Sequence, residues 1–222
     1  MLRDALLVAG KDLRIERRTR VAINQVLPFS LCIVLVFAFA LDPDRGVLER
    51  VAAGLYWVAV LLATLLTVNR AFSIERNEGA RDLLATFGLD PAGSFAGKVL
   101  AVLAQLAALQ VVLAAGIVLL YNVEVSNVGV LLATGIMGTI GLTVTAVMYG
   151  ALASNTRMGE TLLPLLLLPA ATPVLIGATR ATESALAGNP GEAWPWVRLL
   201  FVVALANIAV AALAAPSLME ET

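Results

Sequence analysis

Six long apolar runs alternate with shorter polar connectors along the 222 residues, at 21–41, 51–68, 95–120, 128–152, 161–178 and 196–215. The hydrocarbon core of a bilayer is about 30 Å thick and a helix rises about 1.5 Å per residue, so about 20 apolar residues make a span. Backbone N–H and C=O groups cannot stay unpaired in lipid, and these runs are too long and too continuously apolar for barrel strands. The pattern predicts an all-α polytopic membrane protein with six transmembrane helices.

The connectors carry the charge. Eleven of the 15 Lys and Arg fall in the amino-terminal segment (Arg3, Lys11, Arg14, Arg17, Arg18, Arg20) and in alternate connectors (Arg70, Arg76, Arg81, Lys98; Arg157). Four, Arg45, Arg50, Arg180 and Arg198, fall on the opposite side. Lys and Arg in short loops favour the cytoplasm, so both termini are expected there. The first run ends in Ala38-Phe39-Ala40, which imitates the end of a cleaved signal peptide. Asp4, Asp12 and Glu16 precede it, however, and further spans follow, so it reads as a retained helix.

Residues 1–20 place Leu2, Ala5, Leu6, Ala9 and Leu13 on one helical face, with Arg3, Lys11, Arg14 and Arg18 largely opposite. That pattern predicts an amphipathic helix in the cytoplasmic interface, its basic face near anionic headgroups. Residues 69–94 form the longest cytoplasmic connector. Leu83, Leu84 and Phe87 make an apolar strip with Arg76, Arg81 and Asp82 around it, Gly88 is a natural stop, and Asp90-Pro91 reads as an N-cap followed by proline at the first helical position. A short amphipathic helix suited to docking another protein or lying on the membrane is expected, then a turn, then span 3.

The end of this connector, Gly93-Ser-Phe-Ala-Gly97-Lys98, resembles a phosphate-binding loop but fails the test. Gly and Gly-Lys must be separated by four residues and followed by Ser or Thr; here three intervene and Val99 follows. No other nucleophile, acid-base or metal-ligand constellation stands out, and histidine is absent. The sequence therefore predicts no catalytic residue and no metal site, and a chain that is not by itself an enzyme. Cys32, the single cysteine, lies within an apolar run and reads as a small buried hydrophobe. A net charge of -1 gives no reason to expect nucleic acid.

Within the spans, Gly135, Gly138 and Gly141 give span 4 a slender surface beside several threonines, which suits close helix packing. Pro164, Pro169 and Pro173 in span 5 predict a bent or interrupted helix that could line a pathway. Intramembrane polar residues are few, Gln25, Gln105, Gln110 and Asn207 among them besides hydroxyls. The lack of buried carboxylates and bases argues against a proton-driven carrier.

Glu75, Glu78, Gly79, Leu83, Leu84 and Lys98, after the run "GLYWVAVLLATLLTVNRAF", resemble the segment between spans 2 and 3 of ABC-2-type export permeases. The length, the basic amino terminus, "ERVAAGLYWVAVLLATLL" and the proline-rich "LLPLLLLPAATPVLIGATRA" extend the likeness over nearly the whole chain, which is similar to the CcmB, or haem exporter protein B, family of cytochrome c maturation. The resemblance implies one permease domain over 1–222, in the bacterial inner membrane. It implies a separate CcmA-like ATPase subunit, CcmC-like and CcmD-like membrane subunits, and a CcmE-like periplasmic haem chaperone served by the complex. ATP would belong to the partner, haem would be the substrate of the complex, and no cofactor is expected on this chain. The connector would be the coupling helix, with Glu75, Arg76, Glu78, Gly79, Arg81, Leu83, Leu84 and Phe87 meeting the ATPase. An ABC-2 permease for a lipid or drug-like compound, and a non-transporting membrane scaffold, are the alternatives.

Overall fold

The computed structural model describes residues 1–41, 45–77, 90–154 and 159–220, and every regular element within them is helical. In chain order these are α1 (Leu2–Thr19), a π-helical turn (Ala22–Val26), α2 (Leu27–Ala40), α3 (Arg45–Asn77), α4 (Pro91–Tyr121), α5 (Val128–Ser154), α6 (Gly159–Leu186) and α7 (Pro190–Glu220). Six stretches are long and apolar enough to cross a membrane: Ala22–Ala40, Gly46–Ser73, Pro91–Tyr121, Val128–Ser154, Thr161–Leu186 and Pro190–Ala215. They coincide with the six apolar runs of the sequence and lengthen most of them by a turn or more. With 33 residues, α3 is about 50 Å long at about 1.5 Å per residue, so it carries the chain well beyond the apolar layer.

The bundle is organised around α5, which packs against α3, α4, α6 and α7. Its most apolar stretch is 61% buried, against 22% for each of the stretches on α2 and α7. Lipid tails are as apolar as leucine, so packing and interhelical hydrogen bonds must hold such helices together. Glycines provide the packing. The ring of Trp57 on α3 occupies the space where a Cβ on Gly138 would lie, Val174 of α6 comes within 3.3 Å of that position at Gly141, and Val68 and Phe72 of α3 within 2.5 and 2.7 Å at Gly150. Polar pairs provide the rest. Thr139 Oγ1 of α5 donates to Gln110 Oε1 of α4 at 2.6 Å, and Asn207 Nδ2 of α7 donates to Thr145 Oγ1 of α5 at 2.8 Å. Trp57 Nε1 donates to Thr182 Oγ1 of α6 at 3.0 Å, and the Tyr121 hydroxyl ending α4 donates to the Val34 carbonyl of α2 at 3.0 Å.

Two expectations need correction; one is Cys32, read as a small buried hydrophobe, which is exposed on α2. The helix interruption falls in the first span rather than the fifth. Pro28 has no N–H to offer the carbonyl of Asn24, and the chain responds with the wide turn at Ala22–Val26, where Leu27 N–H reaches back five residues to Ala22 O. Helix α6 instead runs unbroken through Pro164, Pro169 and Pro173. Thr172 lies beside these prolines and its hydroxyl back-bonds to the Leu168 carbonyl at 2.9 Å, a carbonyl that none of the three leaves free.

Candidate functional site

The segment expected to dock a partner runs between the end of α3 and the start of α4, so the geometry of those two ends defines what it can move. Glu75 and Arg76 lie on the last turn of α3. Glu78, Gly79, Arg81, Leu83, Leu84 and Phe87 lie outside the described residues. On the far side, α4 begins at Pro91 with Asp90 in the N-cap position, as the sequence predicts, although the Asp90 side chain makes no capping hydrogen bond and the backbone bond from Ser94 N to Asp90 O does the work at 2.9 Å.

Lys98 joins the two ends. Counted from the sequence as a connector charge, it sits on the second turn of α4 and is 2% exposed. Its Nζ donates to the Ala71 carbonyl of α3 at 3.3 Å and lies 4.3 Å from the centre of the Phe72 ring. A buried ammonium is costly unless paired, and here a carbonyl and an aromatic face supply part of the compensation. Phe72 in turn presses on Gly150 of α5. The contact therefore runs from α4 through the end of α3 to the centre of the bundle.

The amino-terminal helix rests on the same platform. Ala5, Val8 and Ala9 are buried along one edge of α1, which packs against α4. A Cβ on Gly97 would come within 2.5 Å of the Ala5 carbonyl and 2.7 Å of Val8 Cβ, and one on Gly93 within 3.0 Å of Asp4 Cβ and of the Met1 carbonyl. The glycines that imitate a phosphate loop are thus a seat for α1. The apolar face predicted for α1 divides: its small residues go to α4, while Leu2, Leu6 and Leu7 stay exposed alongside Arg3, Arg14, Arg17 and Arg18. Glu16 then holds the corner into the first span. Its carbonyl accepts the N–H of Arg20, a left-handed residue at φ 53°, and its carboxylate accepts the N–H of Ala22 at 2.6 Å.

The remaining candidates lie elsewhere. Pro169 and Pro173 are exposed on the outer side of α6, Pro164 is half-buried, and none of them borders the large cavity of the bundle. Gly138 and Gly141 lie at helix contacts, whereas Gly135 borders that cavity with nothing within 4 Å of a Cβ. Lys98, Glu16 and the Gly93/Gly97 pair are the structural residues that sequence reasoning placed in other roles.

Comparison with known proteins sets this geometry in context. The sequence profile described as "CcmB protein" matches residues 3–221. The chain is 34% identical over 219 residues to "Heme exporter protein B" of Paracoccus denitrificans, covering 97% of each chain. It is 30% identical to the protein of that name in Bradyrhizobium diazoefficiens, covering 92% of each, and 30% identical to the one in Haemophilus influenzae, covering 80% of each.

Proposed function

Because the chain belongs to the CcmB family, we propose that it is the membrane permease subunit of a haem exporter and that the connector at 69–94 couples it to a separate ATPase. The relatives named above are haem exporter proteins, and the six apolar helices are those of a multi-pass membrane protein. In this reading a CcmA-like ATPase docks on Leu83, Leu84 and Phe87, flanked by Glu75, Arg76, Glu78, Gly79 and Arg81. CcmC-like and CcmD-like subunits complete the membrane assembly, a CcmE-like chaperone receives its product, and both termini face the cytoplasm of a bacterial inner membrane.

The observation that carries the coupling is the Lys98 contact to Ala71 and Phe72. Any displacement of the connector acts on α3 and α4 together, and through Phe72 on α5. A ligand shifts such an equilibrium only by its differential affinity for the two states, so the ATPase must grip the connector differently with and without ATP. Replacing Leu83 and Leu84 with Asp tests this, with co-purification of the ATPase and cytochrome c content as readouts. Both fall if the connector docks the ATPase; unchanged values for both overturn the reading.

One observation favours a second reading, in which the same motion releases a haem-loaded chaperone instead of moving haem through the spans. The chain has no histidine, so no imidazole of its own can ligate haem iron along a path between its helices. Vesicles containing the whole complex separate the two: ATP-dependent transfer of haem across the bilayer without the chaperone supports export, and its absence supports release.

A further inference from the structure

A cavity of about 510 Å³ lies between α3, α4, α5 and α6, toward the end of the bundle opposite α1. Connector residues Val123 and Val125 contribute to its lining, and that connector is pinned where Ser126 Oγ and Asn127 Nδ2 donate to the Leu186 and Ala185 carbonyls at 3.3 and 3.2 Å. The wall residues Val111 of α4 and Leu132 and Ile136 of α5 are 71%, 61% and 55% exposed, so the cavity opens sideways between α4 and α5. On a bundle of spans, that opening faces lipid. The volume lies in the range of roughly 300–1,000 Å³ that small-molecule sites occupy.

One fully buried side-chain polar atom in this wall has no partner among the described residues. Gln110 lies on the wall, is 8% exposed, and its Nε2 is buried without a hydrogen-bond partner. Thr139 Oγ1 is within 2.6 Å of Gln110 Oε1 and 2.5 Å of the Gly135 carbonyl, but has one hydrogen for the two acceptors. Turning the amide by 180° lets Nε2 donate to Thr139 and Thr139 donate on to Gly135, which leaves Oε1 over instead. In either orientation one end of a buried amide is unpaired, at a cost of about 1–3 kcal/mol. The Trp57 indole adds no second demand, because Thr182 already accepts its N–H. Among the described residues, no Lys, Arg, Asp, Glu, His, Cys or Met lines the cavity. A carboxylate placed there would find no cation among them, and an iron centre none of the usual nitrogen or sulfur ligands.

The geometry points to a binding site for a neutral, membrane-resident amphiphile, which enters between α4 and α5, fills the apolar cavity with a hydrocarbon chain and offers one uncharged hydroxyl to the Gln110 amide. Gln110 lies eleven residues before the end of α4, so that hydroxyl is drawn about 16 Å below the far end of the helix. The assignment does not depend on the coupling reading.

The test uses the full chain in phosphatidylcholine nanodiscs with three photoreactive probes that carry a diazirine at the chain end: a long-chain alcohol, the hydrocarbon of matching length and the matching fatty acid. The alcohol is expected to label α4 and α5 peptides of the cavity wall most strongly. Gly135→Leu fills the cavity from a position where a Cβ meets nothing, and should remove most of that labelling. Gln110→Leu keeps the volume and should level the alcohol with the hydrocarbon, removing a preference of about fivefold that one hydrogen bond of about 1 kcal/mol supports. Gln110→Leu also carries the test if Gly135→Leu fails to fold. The proposal is overturned if wild type labels equally with alcohol and hydrocarbon, if the fatty acid labels best, or if folded Gly135→Leu labels like wild type. It is equally overturned if haemin displaces the alcohol from wild type and its absorbance shift disappears in folded Gly135→Leu.

Discussion

Trp57 of α3 and Thr182 of α6, 125 positions apart in sequence, share a buried hydrogen bond of 3.0 Å. The Thr182 hydroxyl accepts from the indole and donates to the Ala178 carbonyl at 2.7 Å, so its hydrogen is already used. Replacing Thr182 with Val strands the indole N–H and should cost about 1–3 kcal/mol, whereas Trp57→Phe with Thr182→Val should cost less than the two single changes added. Unfolding in mixed detergent micelles, run as a double-mutant cycle, measures the coupling.

Gly97 is predicted to be intolerant of any side chain. Gly97→Val drives its Cβ into the Ala5 carbonyl and Val8, an overpacking cost of about 1–3 kcal/mol that is relieved when α1 lifts from α4. Proteolysis at Arg14, Arg17 and Arg18 should then accelerate in membranes with that face accessible. Gly10→Ala, at a position with nothing within 4 Å, should leave the digestion rate unchanged.

Lys98→Met keeps the length of the side chain and removes its charge. The Ala71 carbonyl then loses a charge-assisted donor worth about 1.5–3 kcal/mol, and the end of α3 is no longer tied to α4. ATPase co-purification and cytochrome c content are expected to fall while the six-span topology persists, as read by cysteine accessibility.

Arg20 adopts the left-handed conformation at φ 53° and ψ 33° without being glycine. Arg20→Gly should stabilise the corner by about 0.5–1 kcal/mol, and Arg20→Val should destabilise it by about 1 kcal/mol or more. Glu16→Ala should add to the Val defect, since it leaves the Ala22 N–H without its carboxylate. Melting temperatures of the purified variants give the order.

The six spans could be read from hydropathy because lipid tolerates no unpaired backbone, so an apolar run of sufficient length has one outcome. The helix start at Asp90-Pro91 was legible for a similarly local reason. Lys98 was not: its charge suggests a connector, and only the distant Ala71 and Phe72 explain how α4 buries it. The role of Gly93 and Gly97 was hidden because the helix they receive lies about 90 residues earlier in the chain. The prolines of α6 do not interrupt it, since the surrounding bundle outweighs that local tendency. Pro28, with the same chemistry, does open its helix, at the corner where α1 turns into the first span. Gln110 was visible as a polar residue in a span, but its unpaired amide end depends on Thr139 having a single hydrogen to share.

Gly135 and Gly138, less than one turn apart on α5, stand under opposite evolutionary constraints. A single nucleotide change at a glycine codon can install alanine, serine or valine. At 138 even the methyl of alanine meets the Trp57 ring, so drift there is closed until the indole itself is replaced by something smaller, and the two positions are bound to change as a pair. At 135 the same first step meets nothing. Packing therefore lets position 135 vary alone among descendants of this chain, and each larger residue accepted there narrows the chamber beside it without disturbing the contact that holds α3 to α5.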